Sequence, residues 1–557
     1  MVNYSVFLLI CTPRKQQSIM KDHIRQALNS KEPGVLILAS LVFLCGLFIH
    51  LGNVPLMSDE GIRGLVALEM QLSGDYLTPT INGELYFNKP PLYNWIILAF
   101  FKLTGSHSLF ILRLPTIIAT LFFTMTIFLY VRRYFGDRFA AFNALLFLST
   151  GKILFSDTNL ALIDLTHSWL LYLNFIVILE FSRRHQPWKM FLISYGLIAL
   201  CYLMKGFPAL VAQAATLLAF FIARKEFRKL FSLPHVTGII LMTGIIGAYY
   251  YFYIRQNPGI LEHLFAILWD QSAQRTVARY PWEKTVAHLV LFPLKFLYEL
   301  LPVSLLVVAC LRKDFIKRIH DHPVLFYSFL FLVANSLIYW LSPYWRVRYI
   351  FMLFPLAVTI MLYFHLLVKE QNRRLLQVTG ILLSGISAIA TLALILAPFL
   401  DAAAWKPANL LINFIIAAVM ILILAFMIKR PALQLALFVL LLSVGRLAVS
   451  VLYLPVYSQM QKEYRHRDAA IEIGRTMRGK EVYLYGNQHI NEDISYYITR
   501  ETGQILRHRN DRVPGEIYYI ADNRILRDFR QKGIFFSTTA EFYTRNEGVR
   551  LYLIRFL

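Results

Sequence analysis

Long apolar runs separated by short polar stretches recur along most of the chain. Thirteen of them reach or approach the roughly 20 residues needed to cross a hydrocarbon core: 35–54, 109–131, 139–155, 162–181, 189–204, 207–223, 235–254, 286–310, 323–341, 349–368, 375–399, 409–428 and 431–454. The loops between them sort by charge. With the N-terminus in the cytoplasm, the cytoplasmic segments hold 24 Lys and Arg in 76 residues, and the opposite-side segments between spans hold 11 in 109. That bias is what the positive-inside rule requires. The pattern predicts an all-α polytopic membrane protein of about thirteen spans, multi-pass, N-terminus cytoplasmic.

Both ends read differently. Residues 1–34 form a polar cytoplasmic segment, in which Met20 begins a basic stretch and is an alternative translation start. The membrane domain covers 35–454. The tail 455–557 is hydrophilic and falls on the outer side, where strand-like runs at 481–485, 516–520 and 549–556 alternate with helix-like runs at 468–477 and 492–499. This alternation predicts a small extracytoplasmic α/β domain.

Composition sharpens the picture. Apolar residues make up 57% and charged residues 16%, with a mean hydropathy of +0.53, which excludes a disordered chain and a water-soluble enzyme. The net charge of +23 is distributed largely as topology signals, so it does not indicate nucleic acid. Cys11, Cys45, Cys201 and Cys310 stand in apolar surroundings without CxxC or CxxH spacing. They predict neither a disulfide framework nor a structural zinc site.

The first outer loop, 55–108, carries the chemistry. Ile62, Leu65, Val66 and Met70 share one face of a predicted amphipathic helix over 59–72, with Ser58 as its N-cap. Asn82-Gly83 then predicts a hairpin between 76–81 and 84–87. A second short helix is expected over 90–103, capped by Asn88. Both helices are expected to lie at the membrane interface, holding the acidic pair Asp59-Glu60 and the cation Lys89 at its surface. The residues alone leave two readings open: a folded loop with an acid stabilising its helix, or a reactive site.

The loop's motifs resemble one family. Ser58-Asp59-Glu60, Leu68-Glu69-Met70, Ser73-Gly74-Asp75, Thr78-Pro79, Asn82-Gly83 and Tyr86-Phe87-Asn88-Lys89-Pro90-Pro91-Leu92 are similar to the lipid A aminoarabinose transferases, grouped with the protein O-mannosyltransferases. These are membrane glycosyltransferases of the C-type fold that use a polyprenyl-phosphate-linked sugar. The resemblance implies that Asp59 is the essential first-loop acid and Asp164 the second-loop acid. With Glu60 they are the candidate catalytic carboxylates. It also implies that Lys89, Lys205, Arg275, Arg346 and Arg348 face the donor phosphate.

Three departures stand out. Asn88 replaces the family's Glu before the lysine, and Ser272 replaces its central-loop His. Gly61-Ile62 follows Asp59-Glu60 where the family has Ala-Arg, displacing Arg63 by one position. The first two remove both candidate zinc ligands, so no metal or other cofactor is expected.

Transfer from a polyprenyl phosphate asks for a base or an orienting group at the acceptor oxygen, and for matched charge at the leaving phosphate. Lysine suits phosphate as a point charge and arginine as a fork. Asp164 has a competing structural role, pairing with Lys205 or an arginine. The expected activity is transfer of one sugar to a cell-envelope glycolipid at the outer face of a bacterial cytoplasmic membrane. A secreted protein's Ser or Thr is the second acceptor. A lipid-linked-sugar transporter without chemistry is the alternative from another class, and it assigns the work to Lys152 and Lys295 inside spans.

Overall fold

The computed structural model describes residues 32–262, 282–343, 345–400, 405–456, 462–543 and 550–557. Among these, nine helices are long and apolar enough to cross a membrane, or eleven if two bent pairs each count as one span. The expected count of thirteen is not reached by that measure, for two local reasons. The runs at 35–54 and 207–223 become helices of 17 and 16 residues, Glu32–Phe48 and Pro208–Ala223. The runs at 139–155 and 286–310 are broken, bending by 67° between Leu148 and Gly151 and by 119° between Glu299 and Val303. Hydropathy runs straight through such a break because the residues on both sides are apolar.

The two breaks meet. The Gly151 amide donates to the Leu301 carbonyl at 2.7 Å, and a Cβ at position 151 would lie 2.9 Å from that oxygen. Only glycine allows so close an approach of the two backbones.

Arg446, fully buried, fixes the limb beyond the first break. Its guanidinium donates to the carbonyls of Gly46 at 3.2 Å and Leu154 at 2.8 Å, and to the Asn159 side chain at 2.6 Å. Arg446→Leu would strip this donor from the Leu154 carbonyl and the Asn159 side chain, at about 1–3 kcal/mol each, while the Gly46 carbonyl keeps its bond from the Ser450 hydroxyl at 2.6 Å. Thermal unfolding in detergent is expected to show a clear fall in midpoint. Cys201 is buried and Cys310 half-buried, whereas Cys45 is exposed on the first helix.

The tail forms the expected α/β domain. β1 (Thr80–Ile81) and β2 (Glu84–Leu85) make the first-loop hairpin. The tail supplies β3 (Glu481–Tyr485), β4 (His508–Arg509), β5 (Ile517–Asp522), β6 (Phe536–Tyr543) and β7 (Arg550–Phe556), in the order β4-β3-β5-β7-β6. β3 is parallel to both β4 and β5, and β7 is antiparallel to β5 and β6. Helix Glu492–Thr502 packs on one face and helix Asn523–Gln531 on the other.

The first-loop helix, Glu60–Ser73, differs from expectation in its surroundings. It is expected to lie at the membrane interface, but ten of its residues are buried within the protein. Leu65, Val66 and Met70 share a core with Ile494, Ile498 and Leu551 of the tail domain. Gly61 and Gly64 let helix Glu492–Thr502 close on it, since a Cβ would meet the Asp493 amide at 2.7 Å and the Tyr496 ring at 2.9 Å. This contact accounts for glycine at the position where the family has alanine.

Two caps also differ. Ser58 adopts a left-handed φ of +56°, leaving Asp59 at the N-cap without a side-chain capping bond. The second helix is Leu92–Thr104, with Pro91 and not Asn88 at its cap. Asn82-Gly83 turns the hairpin as read, with φ of +55° and +76°.

Candidate active site

The site is built from the loop's two adjacent acids, which have different fates. Glu60 is fully buried and points inward. Arg113 donates to it from Nε at 2.9 Å and Nη2 at 3.0 Å, and the amides of Ala161 and Met57 donate at 2.7 and 3.0 Å. Arg113 also donates to the carbonyls of Leu51, Val54 and Pro55. Glu60, expected among the catalytic carboxylates, thus has its oxygens occupied and no access to solvent. Its geometry is that of a clamp tying the end of the first helix, the loop and residue 161 together.

Asp59 points the other way. Its side chain is 47% exposed, and Arg348 Nη2 donates to Oδ2 at 2.8 Å. Arg348 Nη1 donates to Ser58 Oγ at 3.3 Å, and Arg348 Nε lies 3.6 Å from Asp164 Oδ2. Asp164 in turn accepts from Lys205 Nζ at 2.5 Å. Lys205 also sits over the Tyr349 ring, 4.4 Å from its centroid. Four of the sequence-derived residues, from four separate segments, therefore join in one chain of alternating charge: Asp59, Arg348, Asp164, Lys205.

The elements explain the placement. Asp164 lies in the first turn of helix Ile163–Arg183, where the helix dipole favours an anion. Lys205 ends helix Pro187–Lys205, where it favours a cation. The connection at 184–186 returns the chain antiparallel, so these two ends share one side of the membrane. Burial opposes the charge of Arg348, but the carboxylates of Asp164 and Asp59 more than offset it and hold the guanidinium above its ordinary range. Arg348 Nε has no hydrogen-bond partner, which leaves a donor beside two acids. Asp157 is buried within electrostatic reach of Asp164, Arg348 and Lys152.

Arg348→Lys keeps the charge but loses the fork that spans Asp59, Ser58 and Asp164. One charge-assisted hydrogen bond contributes about 1.5–3 kcal/mol, so kcat/KM is expected to fall by about 10- to 100-fold. Steady-state kinetics on purified protein check this.

Lys89 is half-buried on the stretch leading into helix Leu92–Thr104, and Arg346 is exposed two residues before Arg348. Arg275 and Ser272 lie outside the described residues. Among the described residues, no three His, Cys, Asp or Glu side chains converge as a metal-holding group.

Sequence reasoning passed over Arg113 and gave Glu69 no role beyond its place in the loop motif. Glu69 is fully buried and accepts from the amides of Asn82 at 2.6 Å and Gly83 at 3.1 Å, and from the Thr80 hydroxyl at 2.7 Å. Burial pushes its carboxyl above the ordinary value, against the pull of these bonds. A Glu on the inner face of an amphipathic helix, thirteen residues before an Asn-Gly turn, was the available signal.

Known proteins share this architecture. Residues 88–251 match the family model described as dolichyl-phosphate-mannose-protein mannosyltransferase. The crystal structure of ArnT from Cupriavidus metallidurans bound to undecaprenyl phosphate superposes with a TM-score of 0.70 at 17% identity, covering 94% of this chain and 98% of that one. A protein of Aquifex aeolicus described as uncharacterized is 26% identical over 296 residues, 52% of this chain and 56% of its own. The undecaprenyl phosphate-alpha-4-amino-4-deoxy-L-arabinose arabinosyl transferase of Shewanella sediminis is 26% identical over 194 residues, 34% of this chain and 35% of its own. The chain thus spans about half the length of the first relative and a third of the second. These likenesses bear out the resemblance read from the first loop: the chain has the polytopic fold of the ArnT and mannosyltransferase superfamily and shares sequence with it.

Proposed function

We propose that this protein is a membrane glycosyltransferase that moves one sugar from a polyprenyl-phosphate donor to a cell-envelope acceptor, on the outer face of the cytoplasmic membrane. The observation that carries the reading is the charge chain from half-exposed Asp59 through Arg348 and Asp164 to Lys205, set in a fold shared with an ArnT that binds undecaprenyl phosphate. The acceptor oxygen attacks the anomeric carbon, the bond from that carbon to the phosphate oxygen breaks, and the polyprenyl phosphate leaves with the bonding pair. Direct displacement inverts the anomeric centre.

Asp59 takes the proton of an acceptor hydroxyl, or orients an acceptor that already carries an anionic oxygen. Asp164 holds Lys205 and Arg348 in place before donor arrives. Lys205, Arg348, Lys89, Arg346 and Arg275 are assigned to the phosphate, and no step needs a metal. Glu60 leaves the catalytic set and becomes a positioning residue.

An envelope glycolipid is the first acceptor. The match of residues 88–251 to a protein mannosyltransferase family favours a protein hydroxyl as the second. Mass spectra of envelope lipids and glycans from a deletion strain, complemented with wild type or Asp59→Asn, test the reading. The expected result is a difference of one sugar mass, present only with wild type. If the lipids match and a polyprenyl-linked sugar accumulates, the acceptor is a protein. No change of either kind would overturn transfer.

A further inference from the structure

We propose that the tail domain carries a second binding site, for a hydroxyl-rich, uncharged or amine-bearing saccharide, in the crevice beyond the carboxyl ends of β3 and β5. The proposal rests on the transfer reading, for which this saccharide is part of the acceptor. In open sheets with parallel strands, ligands bind where neighbouring strands send their helices to opposite faces. β3 and β5 meet that condition, with helix Glu492–Thr502 on one face and helix Asn523–Gln531 on the other.

A cavity of about 700 Å³ opens there. A second, of about 470 Å³, shares Asn487, Gln488 and His489 with it and runs to the first-loop hairpin at Asn82 and Tyr86. Together they form one groove from the tail domain to the loop bearing Asp59. Glu492 lines its near end, and the adjacent Asp493 packs on Gly61, two residues from Asp59.

The crevice is preformed. Buried Gln488 accepts from the Asp522 amide at 3.0 Å and donates to the His489 carbonyl at 2.7 Å, fixing the two strand-end loops against each other. Asn487 and His489 present exposed side chains beside the half-buried Tyr485 ring, a combination of an amide, an imidazole and an aromatic edge suited to sugar hydroxyls and sugar C–H surfaces. Asn82 is 7% exposed, lines the groove, and has a side-chain oxygen without a hydrogen-bond partner.

Charge decides the ligand class. In a chain of net charge +23, the groove is lined by Glu84, Glu492, Asp522 and Asp528. Its one arginine, Arg524, is already paired with Asp522 at 3.0 Å. Both nearby helix N-termini meet acids of their own: Glu492 and Asp493 in one first turn, and Asp522 accepting from the Ile525 amide at 3.0 Å in the other. Among the lining residues Arg524 is the only Lys or Arg; just beyond them Lys532 is paired with Asp528 at 2.8 Å and Arg512 donates to the Tyr485 hydroxyl at 2.9 Å, so a phosphate would have to displace a partner already in place.

The test is saturation-transfer NMR on the full-length protein in detergent, with a β-linked glucosamine disaccharide as probe and pyrophosphate as competitor. Wild type and Asp59→Asn are expected to give equal signals that pyrophosphate does not reduce. Asn487→Ala with His489→Ala, whose side chains are exposed and which leave the His489 carbonyl in the Gln488 clamp intact, is expected to lower the signal at least tenfold at an unchanged melting temperature. Asp528→Arg, a single surface charge reversal, is expected to weaken the disaccharide and admit pyrophosphate. An undiminished signal in the double variant, or displacement by pyrophosphate in wild type, would overturn the site. Binding is read without turnover. A positive result here beside unchanged envelope spectra for Asp59→Asn would keep the saccharide site and remove the transfer reading.

Discussion

Asp59→Asn is expected to lower sugar transfer by about 10²- to 10⁴-fold, the usual range for loss of a general base, while leaving expression and donor binding near wild type. The asparagine keeps the volume and an acceptor oxygen for Arg348 Nη2, now 2.8 Å from Oδ2, so the loop stays in place. It loses the charge that takes or directs the acceptor proton. Single-turnover transfer and donor binding, measured on the same preparation, separate the two effects. A transporter would respond differently. Lys152 and Lys295 would then matter more than Asp59, and a larger loss in Lys152→Met or Lys295→Met than in Asp59→Asn would sink the catalytic assignment. An acceptor that is already an anionic phosphate predicts the lower end of the range, because no proton has to leave.

Arg113→Met is expected to destabilise the protein by about 3–5 kcal/mol, the usual cost of stranding one member of a buried ion pair. Both partners have fully buried side chains. Glu60 would keep its charge with only the Met57 and Ala161 amides to hold it, and three loop carbonyls would lose their donor. The double variant Glu60→Met with Arg113→Met removes the stranded charge but not the stranded carbonyls and amides, so it should recover only part of the loss. Thermal unfolding in micelles, with the folded fraction from size exclusion, gives both values. A fully folded but inactive Glu60→Gln protein would return Glu60 to the catalytic set.

What was legible in the sequence was local. Asn82-Gly83 announces its turn because left-handed φ at two successive residues selects those side chains, and the hairpin is found there. The tail strands at 481–485 and 549–556 lie within a residue of β3 and β7, since alternation survives wherever one sheet face is buried. Distant pairings were not legible. Arg113 reads as an ordinary residue at the start of a span until Glu60, 53 positions earlier, is seen against it. The pattern over 59–72 predicts an interfacial helix and not its cover by the tail domain, because amphipathicity records that a face is covered and not what covers it. Among the candidate site residues, Asp59, Asp164, Lys205 and Arg348 converge, whereas Glu60 had only its position beside Asp59 to recommend it. A helix turns about 100° per residue, so neighbouring acids face different surroundings.

The glycine contact between helices Glu60–Ser73 and Glu492–Thr502 bears on how the folded protein comes into being. The acid at position 59 leaves the ribosome more than 400 residues before the helix that supports its loop, and the two share one apolar core. During biogenesis the bundle therefore passes through a stage with its spans inserted and its first loop unsupported. Folding of the tail domain onto Gly61 and Gly64 closes that stage. On the proposed reading, turnover would then report a completed chain: one arrested before its tail holds every charged residue of the centre and is expected to do no chemistry.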